Sequence, residues 1–127
     1  MIGGKVVDPS ALAAYVRDSI AMDAWIAVAA QTGMVLYLPA LPVAEVRAVY
    51  PDAESDLTDF LAYPSVVYAE LSRVEATKVA GFLAESRAWD GTAGHVILVA
   101  RQRGWPVLTT DSERLQRLAP DLDVDLL

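Results

Sequence analysis

The sequence contains no cysteine and only one histidine in 127 residues. The first absence excludes a disulfide framework, a zinc finger, an iron–sulfur cluster and a thiol nucleophile. The second leaves His95 alone and excludes any site that needs two histidines. A chain without cysteine suits a reducing cytoplasm, the expected setting. Long apolar runs are also missing. Stretches such as 34–38 and 96–100 are core-sized, against the roughly 18 residues a membrane helix needs. The opening Met-Ile-Gly-Gly-Lys has neither the basic n-region nor the long h-region of a signal peptide. No membrane role is expected.

Positive charge is scarce. Ten Lys and Arg face seventeen Asp and Glu, a net charge of −7, unlike a protein that grips nucleic acid by bulk charge. No basic residue lies between Arg47 and Arg73, where Asp52, Glu54, Asp56, Asp59 and Glu70 all fall. The arginines gather late, at Arg87, Arg101, Arg103, Arg114 and Arg117. This distribution reads either as a solvated surface or as a basic flank beside an acidic site.

Apolar material is plentiful. At 54% hydrophobic residues the chain has ample material for a core, which excludes global disorder, and its length suits a single domain over 1–127. No repeat, linker or low-complexity tract interrupts it. Lys5-Val6-Val7 reads as a short buried strand, and Asp8-Pro9-Ser10 opens a helix, since Asp suits the cap and Pro the first helical position. A helix over 21–32 ends at Gly33. Met34–Leu38 is a strand candidate, Pro39 and Pro42 punctuate a turn, and a helix through Glu45 follows. Residues 52–62 predict an amphipathic helix with Leu57, Phe60 and Leu61 inward. Val66–Leu71 reads as a strand and 73–88 as a helix. From Thr92 to Ala100 small or apolar residues surround the whole circumference, the mark of a buried helix, and Gly104 ends it. Pro106–Thr109 is a strand, Thr110–Leu118 a short helix and Val124–Leu127 an edge strand. Strands alternating with helices predict an α/β fold with a mainly parallel central sheet covered on both faces.

Such sheets carry their chemistry in the crevice at the carboxyl ends of the strands. Asp8 follows the first strand, Asp111 follows Val107-Leu108-Thr109, Asp90 stands where the buried helix begins, and Glu45 lies on the helix after the second strand. Each acid also has a purely structural reading. Asp8 and Asp90 are good N-caps; Thr110 and Glu113 have capping-box spacing, with Asp111 then a first-turn acid; Glu45 is a solvated helix residue. Taken together, their basic neighbours in sequence are only Lys5, Arg47, Arg87 and Arg114. A carboxylate cluster without neutralising partners needs protons or a hard cation, and carboxylate oxygens select Mg²⁺ or Mn²⁺.

Four segments in order resemble the PIN-domain nucleases, in particular the small stand-alone toxins of the VapC type. Val6-Val7-Asp8-Pro9-Ser10-Ala11-Leu12 resembles the opening strand with its first acid and following hydroxyl. Leu41-Pro42-Val43-Ala44-Glu45-Val46 resembles the helix with the second acid. Trp89-Asp90-Gly91-Thr92-Ala93-Gly94-His95-Val96 resembles the third, and Val107-Leu108-Thr109-Thr110-Asp111 the T-x-D that closes the fourth strand. The resemblance spans nearly the whole chain. It departs from the family at Pro9, at Gly91 and in the lack of a further acid beyond Asp111.

The resemblance implies a three-layer α/β/α sandwich and Mg²⁺- or Mn²⁺-dependent endonucleolytic cleavage of RNA. It implies a metal and catalytic site of Asp8, Glu45, Asp90 and Asp111, supported by Ser10 and Thr109. It also implies an antitoxin protein as partner and a homodimer. Arg101, Arg103, Arg114 and Arg117 are candidates for contacts to flanking phosphates. The alternative is a catalytically inactive PIN-like module that binds a protein or RNA. A receiver domain would want paired acids after the first strand and a late lysine, and a dehalogenase-type phosphatase an acid where Ser10 stands; neither pattern is present. His95 reads as a core or rim residue, Trp25, Trp89 and Trp105 as packing or interface residues, and Ser10 lacks a partner for nucleophilic catalysis.

Overall fold

The computed structural model describes residues 3–127. Five strands form one sheet: β1 (Gly4–Val7), β2 (Val35–Pro39), β3 (Val66–Ala69), β4 (Val107–Thr109) and β5 (Val124–Leu126). Every pairing is parallel and the order is β3-β2-β1-β4-β5. Between them lie α1 (Pro9–Val16), α2 (Ile20–Thr32), α3 (Ala40–Val49), α4 (Glu54–Ala62), α5 (Arg73–Ser86), α6 (Gly91–Arg103) and α7 (Ser112–Gln116), with a 3₁₀ turn at Pro51–Ala53. This is the expected α/β/α sandwich with a parallel sheet.

The two-residue period of the strands sorts the core into two layers. Val7 of β1 and Leu108 of β4 face one way, into a layer with Leu12, Met22, Leu36, Leu38, Val46, Leu57 and Phe60. Val6 and Val107, their neighbours, face the other way, against Ala93, Val96, Ile97, Ala100 and Leu115. The buried residues of α6 run Ala93 to Ile97 and on to Val99 and Ala100, so most of its circumference is enclosed. Gly33 and Gly104 end α2 and α6 in the left-handed conformation, at φ 76° and 68°, which glycine adopts without steric cost.

Two local expectations shift. Pro42 is not in a turn: α3 begins at Ala40, so Pro42 sits in its first turn, where the backbone N–H has no helical partner to lose. The cap of α7 is Asp111, not Thr110. The Asp111 side chain accepts from the Arg114 backbone, while the Thr110 N–H donates to Ser10 Oγ at 2.8 Å.

Strand order fixes the site. The chain builds outward from β1 to β2 to β3, then crosses back to place β4 on the other side of β1. The crossovers on either side of β1 and β4 diverge and leave a crevice at their carboxyl ends. Asp8 and Asp111 lie there, directly after those two strands.

Candidate active site

Three aspartates stand at helix N-termini on this one edge. Asp8 caps α1 through Ala11 N at 2.8 Å, Asp90 caps α6 through Ala93 N at 3.1 Å, and Asp111 caps α7 through Arg114 N at 3.4 Å. The structural and the functional readings of these acids therefore coincide: capping is what holds each carboxylate at the strand ends. The positive ends of the three helix dipoles face the same crevice.

Asp8 lies at the centre of a hydroxyl network. Ser10 Oγ donates to its Oδ1 at 2.7 Å, and Thr109 Oγ1 donates to its Oδ2 at 2.6 Å. Thr109 Oγ1 in turn accepts from the backbone N–H of Asp111 at 2.8 Å, which ties the end of β4 to the end of β1. Asp8 and Thr109 are buried. Burial pushes the Asp8 carboxyl above the usual carboxylate range, against the pull of the donors from Thr109, Ala11 and Ser10 and of the Arg114 charge. The cause is desolvation; repulsion within an acid cluster, expected from the sequence, is not what raises it.

Glu45 and Asp90 meet on a cation from the chain itself. Arg114 Nε and Nη2 donate to Asp90 Oδ2 and Oδ1 at 2.7 and 2.8 Å, and Nη1 and Nη2 donate to Glu45 Oε2 and Oε1, both at 2.7 Å. Four of the five guanidinium N–H groups are used, in the fork geometry that matches a carboxylate. The three side chains are about one-third exposed or less, at 28% for Arg114, 31% for Glu45 and 33% for Asp90. The guanidinium beside Asp90 holds that carboxyl below its ordinary range, and the two carboxylates hold Arg114 firmly protonated.

The expectation that the acids lack a neutralising partner is thus overturned by Arg114. It had a signal in the sequence. Arg114 lies three residues after the cap Asp111, and helical side chains lean toward the N-terminus of their helix, here toward the crevice. The other late arginines are placed differently. Arg101 and Arg103 sit at the far end of α6, about 20 Å of helix from Asp90, where Arg103 packs on Tyr37 and Trp105. They do not flank the site. Arg117 pairs with Glu113 at the surface.

The donor types around the crevice are hard oxygens, which suit Mg²⁺ or Mn²⁺. The arrangement does not fit an ion as it stands. Both carboxylates that face each other across the crevice are engaged by Arg114, and among the described residues no three Asp, Glu or His side chains converge as a ligand set. Beside the Arg114 bridge a cavity of about 180 Å³ opens between α1 and α3, lined by Pro9, Ser10, Ala13, Glu45, Val46, Val49, Tyr50 and Arg114. Its lining is mostly apolar, with Ser10, Tyr50, Glu45 and Arg114 supplying the polar atoms.

Among solved structures, VapBC2 from Rickettsia felis bound to a DNA fragment from their promoter is similar to this chain. The match covers 99% of this chain and 98% of the other, with a TM-score of 0.68 and 13% sequence identity. The likeness is one of fold: an α/β/α sandwich around a parallel sheet, the PIN-like architecture expected from the sequence. No protein-family model and no curated protein matches the sequence. The shared fold accounts for the strand order. The cation between Glu45 and Asp90 is supplied from within the chain, by Arg114.

His95, Trp89 and Trp105 take no part in this centre. His95 is fully buried in α6 with neither ring nitrogen hydrogen-bonded. Trp105 packs edge-on against Tyr37. Trp89, next to Asp90, is almost fully exposed. No helix among the described residues is long and apolar enough to cross a membrane.

Proposed function

We propose that this protein is a cytoplasmic toxin of a toxin–antitoxin pair that cleaves RNA phosphodiester bonds with Mg²⁺ or Mn²⁺. One observation supports this reading: Arg114 joins Glu45 to Asp90, and Asp8 and Asp111 follow β1 and β4, on a fold similar to a toxin–antitoxin structure. Asp8, Glu45, Asp90 and Asp111 are the oxygen donors such a cation would take, with Arg114 drawn away from Glu45 and Asp90. When bound, the divalent ion supplies polarisation of the scissile phosphate and activation of a water. Ser10 and Thr109 orient the Asp8 carboxylate through their hydroxyls. The three helix N-termini offset part of the negative charge that an RNA phosphate meets on approach.

The partners proposed are an antitoxin and a second copy of the chain. Exposed apolar side chains such as Ile20, Val49, Val74 and Trp89 are candidate contacts for either. A second reading, a PIN-like module that binds a protein or RNA without cleaving, is favoured by one observation only: the Arg114 bridge satisfies Glu45 and Asp90 without a metal.

Incubation of the purified chain with a mixed RNA pool and Mn²⁺ or Mg²⁺ separates the two. Cleavage leaving 5′-phosphate ends, abolished by a chelator and by Asp90→Asn, is expected. No cleavage, together with no shift of the melting temperature by either ion, would leave the binding module as the reading.

A further inference from the structure

We infer that Arg114 is a resident cation that competes with the divalent ion for Glu45 and Asp90, so that the site as described is its closed state. The inference rests on the metal-dependent reading above and goes beyond it. All four oxygens of the two carboxylates accept from one guanidinium, at 2.7 to 2.8 Å. A cation that takes Glu45 or Asp90 as a ligand has to share oxygens that already accept N–H groups, and it meets the guanidinium charge at contact distance. The two cations therefore disfavour each other at this seat.

The bridge borders open space. Arg114 is the one residue that both bridges the carboxylates and lines the cavity with Ser10, Val46 and Tyr50. The side chain stems from a five-residue helix at the surface and is partly exposed, so it can turn without opening the core. Arg114 is a positioning residue for Glu45 and Asp90 in this closed state.

Mn²⁺ binding, followed by paramagnetic resonance on wild type, Arg114→Lys and Arg114→Gln, tests this without any turnover. The expected result is that Arg114→Gln binds Mn²⁺ at least about tenfold more tightly than wild type, the worth of a single charge-assisted hydrogen bond. Arg114→Lys should fall between, since a point charge cannot hold both carboxylates by a fork. Equal affinity, or weaker binding in Arg114→Gln, would overturn the competition and leave the nuclease reading standing. Mn²⁺ binding in none of the three would overturn both. A second measurement uses the wild type alone, in case the variants do not fold. The Arg114 Nε–H resonance, held by Asp90, should shift and lose its protection from exchange as Mg²⁺ is added. Its persistence with Mg²⁺ bound would also overturn the competition.

Discussion

The guanidinium of Arg114 meets the carboxylate of Glu45 end-on, with both N–O contacts at 2.7 Å, across 69 positions of sequence. The pair joins α7 to α3, and the same guanidinium carries on to Asp90 at the head of α6. Three helices from both sides of the sheet are therefore tied at one planar group.

That tie predicts a stability loss whose size depends on which partner is removed. Arg114→Gln leaves two carboxylates facing each other and should cost about 1–2 kcal/mol at neutral pH; Glu45→Gln leaves Arg114 paired with Asp90 and should cost less. The double variant should recover about 1 kcal/mol of the summed loss. Urea denaturation of the four proteins measures the coupling. Strict additivity would mean that the pair contributes nothing.

Asp8→Asn predicts stability and activity moving apart. Burial raises the Asp8 carboxyl, so removing its charge relieves desolvation, while the amide loses one of the acceptor positions that Thr109 and Ser10 use. The two effects oppose each other, and the variant should melt within about 1 kcal/mol of wild type. Cleavage of RNA should nevertheless be lost. A strongly destabilised variant would show that the ionised form is the one the fold requires.

His95 predicts a pH dependence. It is fully buried without a hydrogen-bond partner, and burial depresses its proton affinity below the ordinary value of 6.5. The unfolded chain therefore binds a proton that the folded chain resists. The His95 contribution to stability is present above about pH 6.5 and is lost as pH falls from there toward the folded value. Asp8, raised in the fold, acts in the opposite direction and is common to wild type and variant. His95→Leu should be more stable than wild type by about 1 kcal/mol or more at pH 7.5, because two orphaned ring nitrogens are removed. The gap should widen at pH 5.5. Melts at the two pH values check this, and parallel losses in both proteins would count against it.

Gly4→Ala predicts a packing cost at the start of β1. A methyl group there would lie 2.7 Å from two ring carbons of Trp105, closer than atoms approach. Trp105 is itself held against Tyr37 at 5.9 Å between ring centres, so it cannot move without disturbing β2. The expected loss is about 1–3 kcal/mol, read as a lower denaturation midpoint. The equivalent change at Gly81, which has open space around it, should cost far less.

The sequence alone determined the α/β layering, the buried α6 and the placement of Asp8, Asp90 and Asp111, because each rests on short-range physics. The core periodicity switches from two to nearly four residues at recognisable caps, and Asp before a helix marks both a cap and, in a parallel sheet, the crevice edge. Shorter errors have local causes. Val66–Leu71 exceeds the observed β3 because Glu70 and Leu71 leave the ladder after Ala69, and Pro42 reads as a turn although the first turn of a helix tolerates it. What only the tertiary structure decided is the charge state of the centre. Counting basic neighbours along the chain measures proximity in one dimension. Arg114 reaches Glu45 and Asp90 from 69 and 24 positions away, because α3, α6 and α7 end at the same edge of the sheet. Electrostatics acts through space, so whether four acids repel, bind an ion or share a guanidinium is settled by which side chain the fold brings between them.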